Sequence, residues 1–136
     1  MTRILAALLV LLSFSSCKKA IEKKEESIII AAMTSGQWKI TSFVHNSTDI
    51  TADFSTYKFQ YYSNRTVDAF KNGTLEKTGS WDGDPDAMTT FANFPGSVNP
   101  LVLLNGTWHI DDNSWTYVKA SQTVGGETKI MRLDKL

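Results

Sequence analysis

Cysteine is almost absent from this chain: Cys17 stands alone among 136 residues. One thiol excludes a disulfide framework and a sulfur-rich metal centre. An excess of charge of either sign is also missing, since 14 Lys and Arg balance 14 Asp and Glu. From Thr34 onward nine basic residues face eleven acidic ones, so no basic face is available and nucleic acid is not expected as a partner. Histidine is limited to His45 and His109, 64 positions apart and neither in a ligand motif, which leaves no metal site to read. There is no Gly-x-Ser-x-Gly elbow, phosphate loop or dinucleotide fingerprint, so neither an enzyme nor a cofactor is expected. No apolar run reaches the roughly 20 residues that a spanning helix needs.

What is present begins with an address. In residues 1–17, Arg3 precedes an apolar run, Ile4 to Leu12, which ends in Phe14-Ser15-Ser16-Cys17. A positive start, a short apolar segment and small residues at the break read as a secretory signal covering residues 1–16. The Ser-Ser-Cys ending resembles the lipobox of bacterial lipoproteins, which implies cleavage before Cys17 and a diacylglyceryl group on its sulfur. Acyl chains stabilise membrane attachment by about 0.8 kcal/mol per buried methylene, and so hold a non-spanning protein at a bilayer. Lys18 rather than Asp follows the cysteine, and by resemblance to the sorting pattern of enteric bacteria this implies the outer membrane of a bacterial envelope.

Residues 17–33 form a second unit. Cys17 to Ser27 interleaves four lysines with three glutamates, as a solvated tether does, and the apolar Ser27 to Met33 predicts a short helix plugging one end of the fold. Residues 34–136 then change to β-branched and aromatic segments separated by turn residues about every ten positions. Eight strands are predicted: Trp38–His45, Tyr57–Tyr62, Arg65–Lys71, Thr74–Trp81, Ala87–Phe91, Leu101–Ile110, Ser114–Ser121 and Thr128–Asp134. Connectors such as Asn72-Gly73 and Gly125-Gly126 supply the positive φ of tight hairpins, and consecutive hairpins imply antiparallel neighbours. An open sheet would leave two unpaired edges, so the expected fold is all-β: a closed, eight-stranded, antiparallel up-and-down barrel with a short N-terminal helix.

Gly36-Gln37-Trp38 opens the first strand, and Arg132 lies in the last. This pairing resembles the lipocalins and fatty-acid-binding proteins, in which a Gly-x-Trp packs under an arginine or lysine from the barrel's end. The resemblance implies a structural latch of Trp38 and Arg132, a guanidinium on an indole face worth roughly 0.5–2 kcal/mol. The Ser-Ser-Cys-Lys-Lys start, Phe54 to Phe59, Gly79-Ser80-Trp81 and Leu104-Asn105-Gly106-Thr107-Trp108 are similar to the short lipocalin-like lipoproteins of Bacteroidetes. The chain lacks the lipocalin cysteines and a helix after the last strand, so no family binding residue is carried over.

Tyr57, Phe59, Tyr61, Trp81, Trp108, Trp115 and Tyr117 are the candidate ligand site, because large rings with polar tips line apolar pockets. The same rings would serve equally as core, since eight strands enclose a space that side chains can fill. Asp82-Gly83-Asp84-Pro85-Asp86 alternates three carboxylates, but Ala87 and Asn93 stand where an EF-hand needs glycine and glutamate; the segment reads as an acidic hairpin. Two functions follow as expectations: a small hydrophobic or amphipathic ligand held at the barrel's open end, or an envelope protein-interaction or inhibitor module that works by its exterior around a filled, non-binding barrel.

Overall fold

The computed structural model describes residues 24–136; Cys17, the signal and most of the tether lie outside the described residues. The described residues open with helix α1, residues 24–34. The Thr34 and Ser35 hydroxyls donate back to the carbonyls of Ile30 and Ala32, and Gly36 ends the helix at φ +89°, a left-handed conformation that glycine adopts without a Cβ penalty.

The strands are β1 (Gln37–His45), β2 (Thr48–Asp49), β3 (Tyr57–Tyr61), β4 (Thr66–Lys71), β5 (Thr74–Asp84), β6 (Thr89–Asn93), β7 (Gly106–Asn113), β8 (Tyr117–Val124) and β9 (Glu127–Lys135). β2 is a two-residue return on β1; the other eight pair antiparallel in the order β1-β3-β4-β5-β6-β7-β8-β9, and β9 pairs with β1. The result is a closed eight-stranded antiparallel up-and-down barrel with one short helix. Closure runs from Trp38 opposite Lys135 to His45 opposite Lys129, so no long edge remains open along this seam.

One predicted strand is corrected. Leu101–Leu104 is a 3-10 turn, and β7 starts only at Gly106. The apolar run reads as a strand, but Leu101 and Leu104, three apart, both turn inward on one face of the 3-10 turn, as its threefold period dictates. A matching 3-10 turn at Thr51–Phe54 buries Phe54. Both turns cover the barrel end opposite α1.

The core runs from that covered end to the foot of α1. Trp38, Phe43, Phe54, Tyr57, Phe59, Phe94 and Trp108 are essentially inaccessible to water. Phe43 stacks at 4.8 Å on Phe54 and meets Trp108 edge-on at 6.0 Å, the offset and T-shaped geometries that ring quadrupoles favour. The Trp38, Trp81 and Trp108 indoles donate to the carbonyls of Met33, Tyr62 and Leu104, each at 2.9 Å, so none of these buried N–H groups loses a partner. A bulge in β1 at Thr41 resets the alternation, so that Trp38, Ile40 and Phe43 all face in.

The expected latch is corrected in detail. Met131 and Leu133 face the core, so alternation sends Lys135 to the same side and Arg132 to the outside. The cation above the Trp38 ring is therefore Lys135, with Nζ 5.1 Å from the centroid and donating to the Ser35 hydroxyl at 2.8 Å. Arg132 instead lies 4.6 Å over Tyr117 on the outer face and grips Asp134 through Nε and Nη2 at 2.8 and 3.0 Å. The Thr41 hydroxyl donates to the same carboxylate, joining β8, β9 and β1 across the seam.

Candidate functional site

The barrel is full at one end and hollow at the other. Under α1 lies a cavity of about 80 Å³, whose floor is the ring cluster described above. Its wall on β5 and β6 combines Trp81 and Phe91 with three small residues, Gly83, Thr90 and Ala92, where a larger side chain would fill the space. Ile29, Ala32 and Met33 of α1 form the roof, and Met131 and Leu133 close the seam side. The lining contains no acid, base, histidine or cysteine.

Tyr61 brings polarity into this apolar space. Its ring packs edge-on to Trp81 at 5.4 Å. Its hydroxyl makes no hydrogen bond with any described residue, and burial alone pushes its pKa upward. The group is therefore a neutral donor and acceptor on a residue that lines the cavity.

A shallower groove of about 210 Å³ opens beside the cavity, between α1 and the turn from β7 to β8. The two share Ile29, Ala32, Asn113 and Ser114, so the groove is the outer side of the cavity's roof.

Four of the seven expected aromatic residues, Phe59, Tyr61, Trp81 and Trp108, meet around the cavity. Three do not. Tyr57 is buried at the full end, its ring stacked on Phe59 and its hydroxyl turned to Glu76. Tyr117 faces out because Val118, Ala120 and Gln122 are the inward set of β8; its hydroxyl donates to Asp112 at 2.8 Å. Trp115 stands in the turn before β8, 56% exposed, and borders only the groove. Sequence reasoning missed the aliphatic part of the site, Met33, Ala92 and Met131 above all, because those residue types are indistinguishable from ordinary core until a space appears beside them.

The remaining polar candidates are engaged elsewhere. Asp84 caps the β5–β6 turn by accepting from the Asp86 and Ala87 amides at 3.0 and 3.2 Å, while Asp82 accepts from Arg65 at 3.1 Å. His109 bonds Asp111 at 2.9 Å on β7, which holds that carboxyl below the usual range; the buried Nε2 of His45 lies 3.7 Å from Glu127 and makes no hydrogen bond among the described residues.

No family model matches the chain, and no curated protein matches it in sequence. Among solved structures it is similar to a DUF4847 family protein from Bacteroides vulgatus, with a TM-score of 0.54 and 12% identity over 78% of this chain and 96% of that one. At that identity the shared property is the barrel fold.

Proposed function

We propose that the protein is an envelope lipoprotein, anchored through Cys17 in the outer membrane, whose barrel binds a small, mainly apolar ligand carrying one hydrogen-bonding group. The observation that carries the binding half is the apolar cavity beneath α1, lined by Tyr61, whose hydroxyl has no hydrogen-bond partner among the described residues. Such a site selects by shape and one polar contact, as small-molecule pockets do. Its lining offers hydroxyls from Tyr61, Thr90 and Ser114 but no carboxylate, histidine, lysine or cysteine to activate them, which favours binding over catalysis. The anchoring half is supported by the sequence of residues 1–17.

The test is solvent extraction and mass spectrometry of protein purified from its native host, followed by titration of the emptied protein with the recovered species. A co-purified ligand whose affinity falls roughly 3–10-fold in Tyr61→Phe, as loss of one hydrogen bond of about 0.5–1.5 kcal/mol predicts, supports the reading. No ligand and no response to Tyr61→Phe would refute it. Globomycin, which blocks lipoprotein signal cleavage, should leave a heavier precursor; an unchanged mass would remove the anchor.

A second reading rests on Trp115 and Ile28, 56% and 43% exposed at the groove. Exposed apolar anchors of this kind serve protein interfaces, and an envelope protein would be the partner. Trp115→Ala would then abolish a complex while leaving ligand titrations unchanged.

A further inference from the structure

Arg65 occupies a backbone conformation that its side chain does not favour. It sits at φ +69° in the β3–β4 turn, the left-handed region where glycine or asparagine is at ease. Residues kept in such conformations point to a job done by the side chain. The Arg65 guanidinium reaches three groups at once. Nη2 donates to Glu26 of α1 at 2.7 Å, Nε donates to Asp82 of β5 at 3.1 Å, and the plane lies 5.5 Å from the centre of the Trp81 ring.

These contacts differ from those at the other end of α1. The last turn is fixed to the barrel by the Trp38 indole on Met33 and by Lys135 on Ser35. The first turns have one polar link among the described residues, Glu26 to Arg65, and beyond it rest on apolar contacts such as Ile29 over Gly83. The closed cavity is also small. Its 80 Å³ compares with about 150 Å³ for an engineered protein cavity that takes up benzene, so a ring-sized ligand needs the roof to move. Lifting the first turns of α1 merges the cavity with the groove, because Ile29 and Ala32 separate them.

We propose that α1 is a gate over the cavity, pivoting on its last turn and latched shut by Arg65 bridging Glu26 and Asp82. This rests on the cavity being the binding site proposed above. Trp81 couples the two, since its ring lines the cavity and touches the latch. A ligand that shifts the ring disturbs the guanidinium and weakens its hold on Glu26. The gate also joins the cavity to the chain's amino-terminal side, because α1 continues directly from the residues that follow Cys17.

The test uses the chain from residue 17 with Cys17→Ser, which retains every described residue, and p-cresol, a ring with one hydroxyl, as the probe. Methyl NMR of ¹³C-methionine gives the readout: Met33 and Met131 line the cavity, and Met88, 42% exposed, is the control. An Ile29→Cys/Gly83→Cys pair staples the gate shut. A Cβ at Gly83 would stand 3.3 Å from the Ile29 side chain, and Gly83 has no positive φ. Oxidised, this variant should take up p-cresol at least tenfold more slowly than when reduced, whereas Arg65→Gln should take it up several-fold faster than the parent. Equal uptake in the oxidised and reduced forms would overturn the gate. Should p-cresol shift neither Met33 nor Met131 in any form, the ligand reading fails, and amide exchange then decides the latch. Faster exchange across residues 26–30 in Arg65→Gln keeps it, and unchanged exchange removes it.

Discussion

Two cations serve the barrel seam on opposite faces, and their energetics should separate cleanly. Lys135 lies over Trp38 at the inner rim, and Arg132 over Tyr117 outside. A cation over an aromatic face gains as water is excluded from it; Lys135 is partly buried over a fully buried ring, so about 1 kcal/mol is expected there, while Arg132 and Tyr117 lie on the solvent side and should couple more weakly. The perturbations are Lys135→Met and Arg132→Met, which keep an aliphatic stem, combined with Trp38→Leu or Tyr117→Leu. Trp38→Leu alone should cost about 3 kcal/mol or more, because the ring is fully buried and its N–H satisfies the Met33 carbonyl. A small domain has only about 5–15 kcal/mol to lose, so urea melts of every variant are run with an osmolyte such as trimethylamine oxide. Double-mutant cycles should give about 1 kcal/mol of coupling for Trp38 with Lys135, a smaller, salt-sensitive coupling for Tyr117 with Arg132, and under about 0.3 kcal/mol for Trp38 with Lys135's outward neighbour Asp134 or with Arg132. Coupling of Trp38 to Arg132 with none to Lys135 would refute the assignment of faces.

Gly79→Ala should destabilise by about 1–3 kcal/mol in urea melts, since a Cβ there would come within 2.3 Å of the Asn93 carbonyl oxygen and backbone must move; an unchanged midpoint would contradict the close approach of β5 and β6. Asp134 is held below the usual carboxylate range, first by its hydrogen bonds from Arg132 and against the opposing effect of burial. A depressed folded pKa gives stability that is complete above the unfolded value of about 3.9 and is lost as pH falls through the folded one; Asp134→Asn should therefore flatten the decline in urea midpoint below about pH 4. Ala92→Leu should fill the hollow and raise stability by up to about 2 kcal/mol, at about 0.8 kcal/mol per buried methylene, while abolishing p-cresol shifts at Met33 and Met131; a loss of stability would mean that the space is not there.

The strand count, the hairpin order and closure were legible because they rest on local signals. Asn72-Gly73 and Gly125-Gly126 announce their turns, both with positive φ in the structure, and the alternation of Tyr57, Phe59 and Tyr61 with Lys58 and Gln60 survives intact in β3. What failed was non-local or depended on one inserted residue. The bulge at Thr41 is invisible to alternation, yet without it Phe43 would point to solvent. Leu101 to Leu104 looks like a strand because a short apolar run carries no period that separates a strand from a 3-10 turn. The Arg132 assignment failed in a way that alternation could have caught. Met131 and Leu133 are two apolar positions on one parity of the last strand against Ile130 alone on the other, and that places Lys135, two residues on, beside Trp38.

The candidate site was harder to read for a reason set by packing. An inward aromatic residue has the same signature whether its neighbour is another ring or a void, so Tyr57 and Tyr61 looked alike and ended at opposite ends of the barrel, one among rings and one facing space. The difference lies in residues that carry almost no signal. Ala92 and Gly83 are too small to reach the centre, and the one large side chain on β6, Phe91, is 39% exposed. Filling that space is an available route to greater stability, and proteins that keep such a void give up part of the stability that tighter packing would supply. The hollow also lies only under the one helix of the described chain, beneath turns held by a single polar contact, while the opposite end is covered by two 3-10 turns and packed solid. Chance packing faults would have no reason to gather beneath the one movable cover; a binding site would.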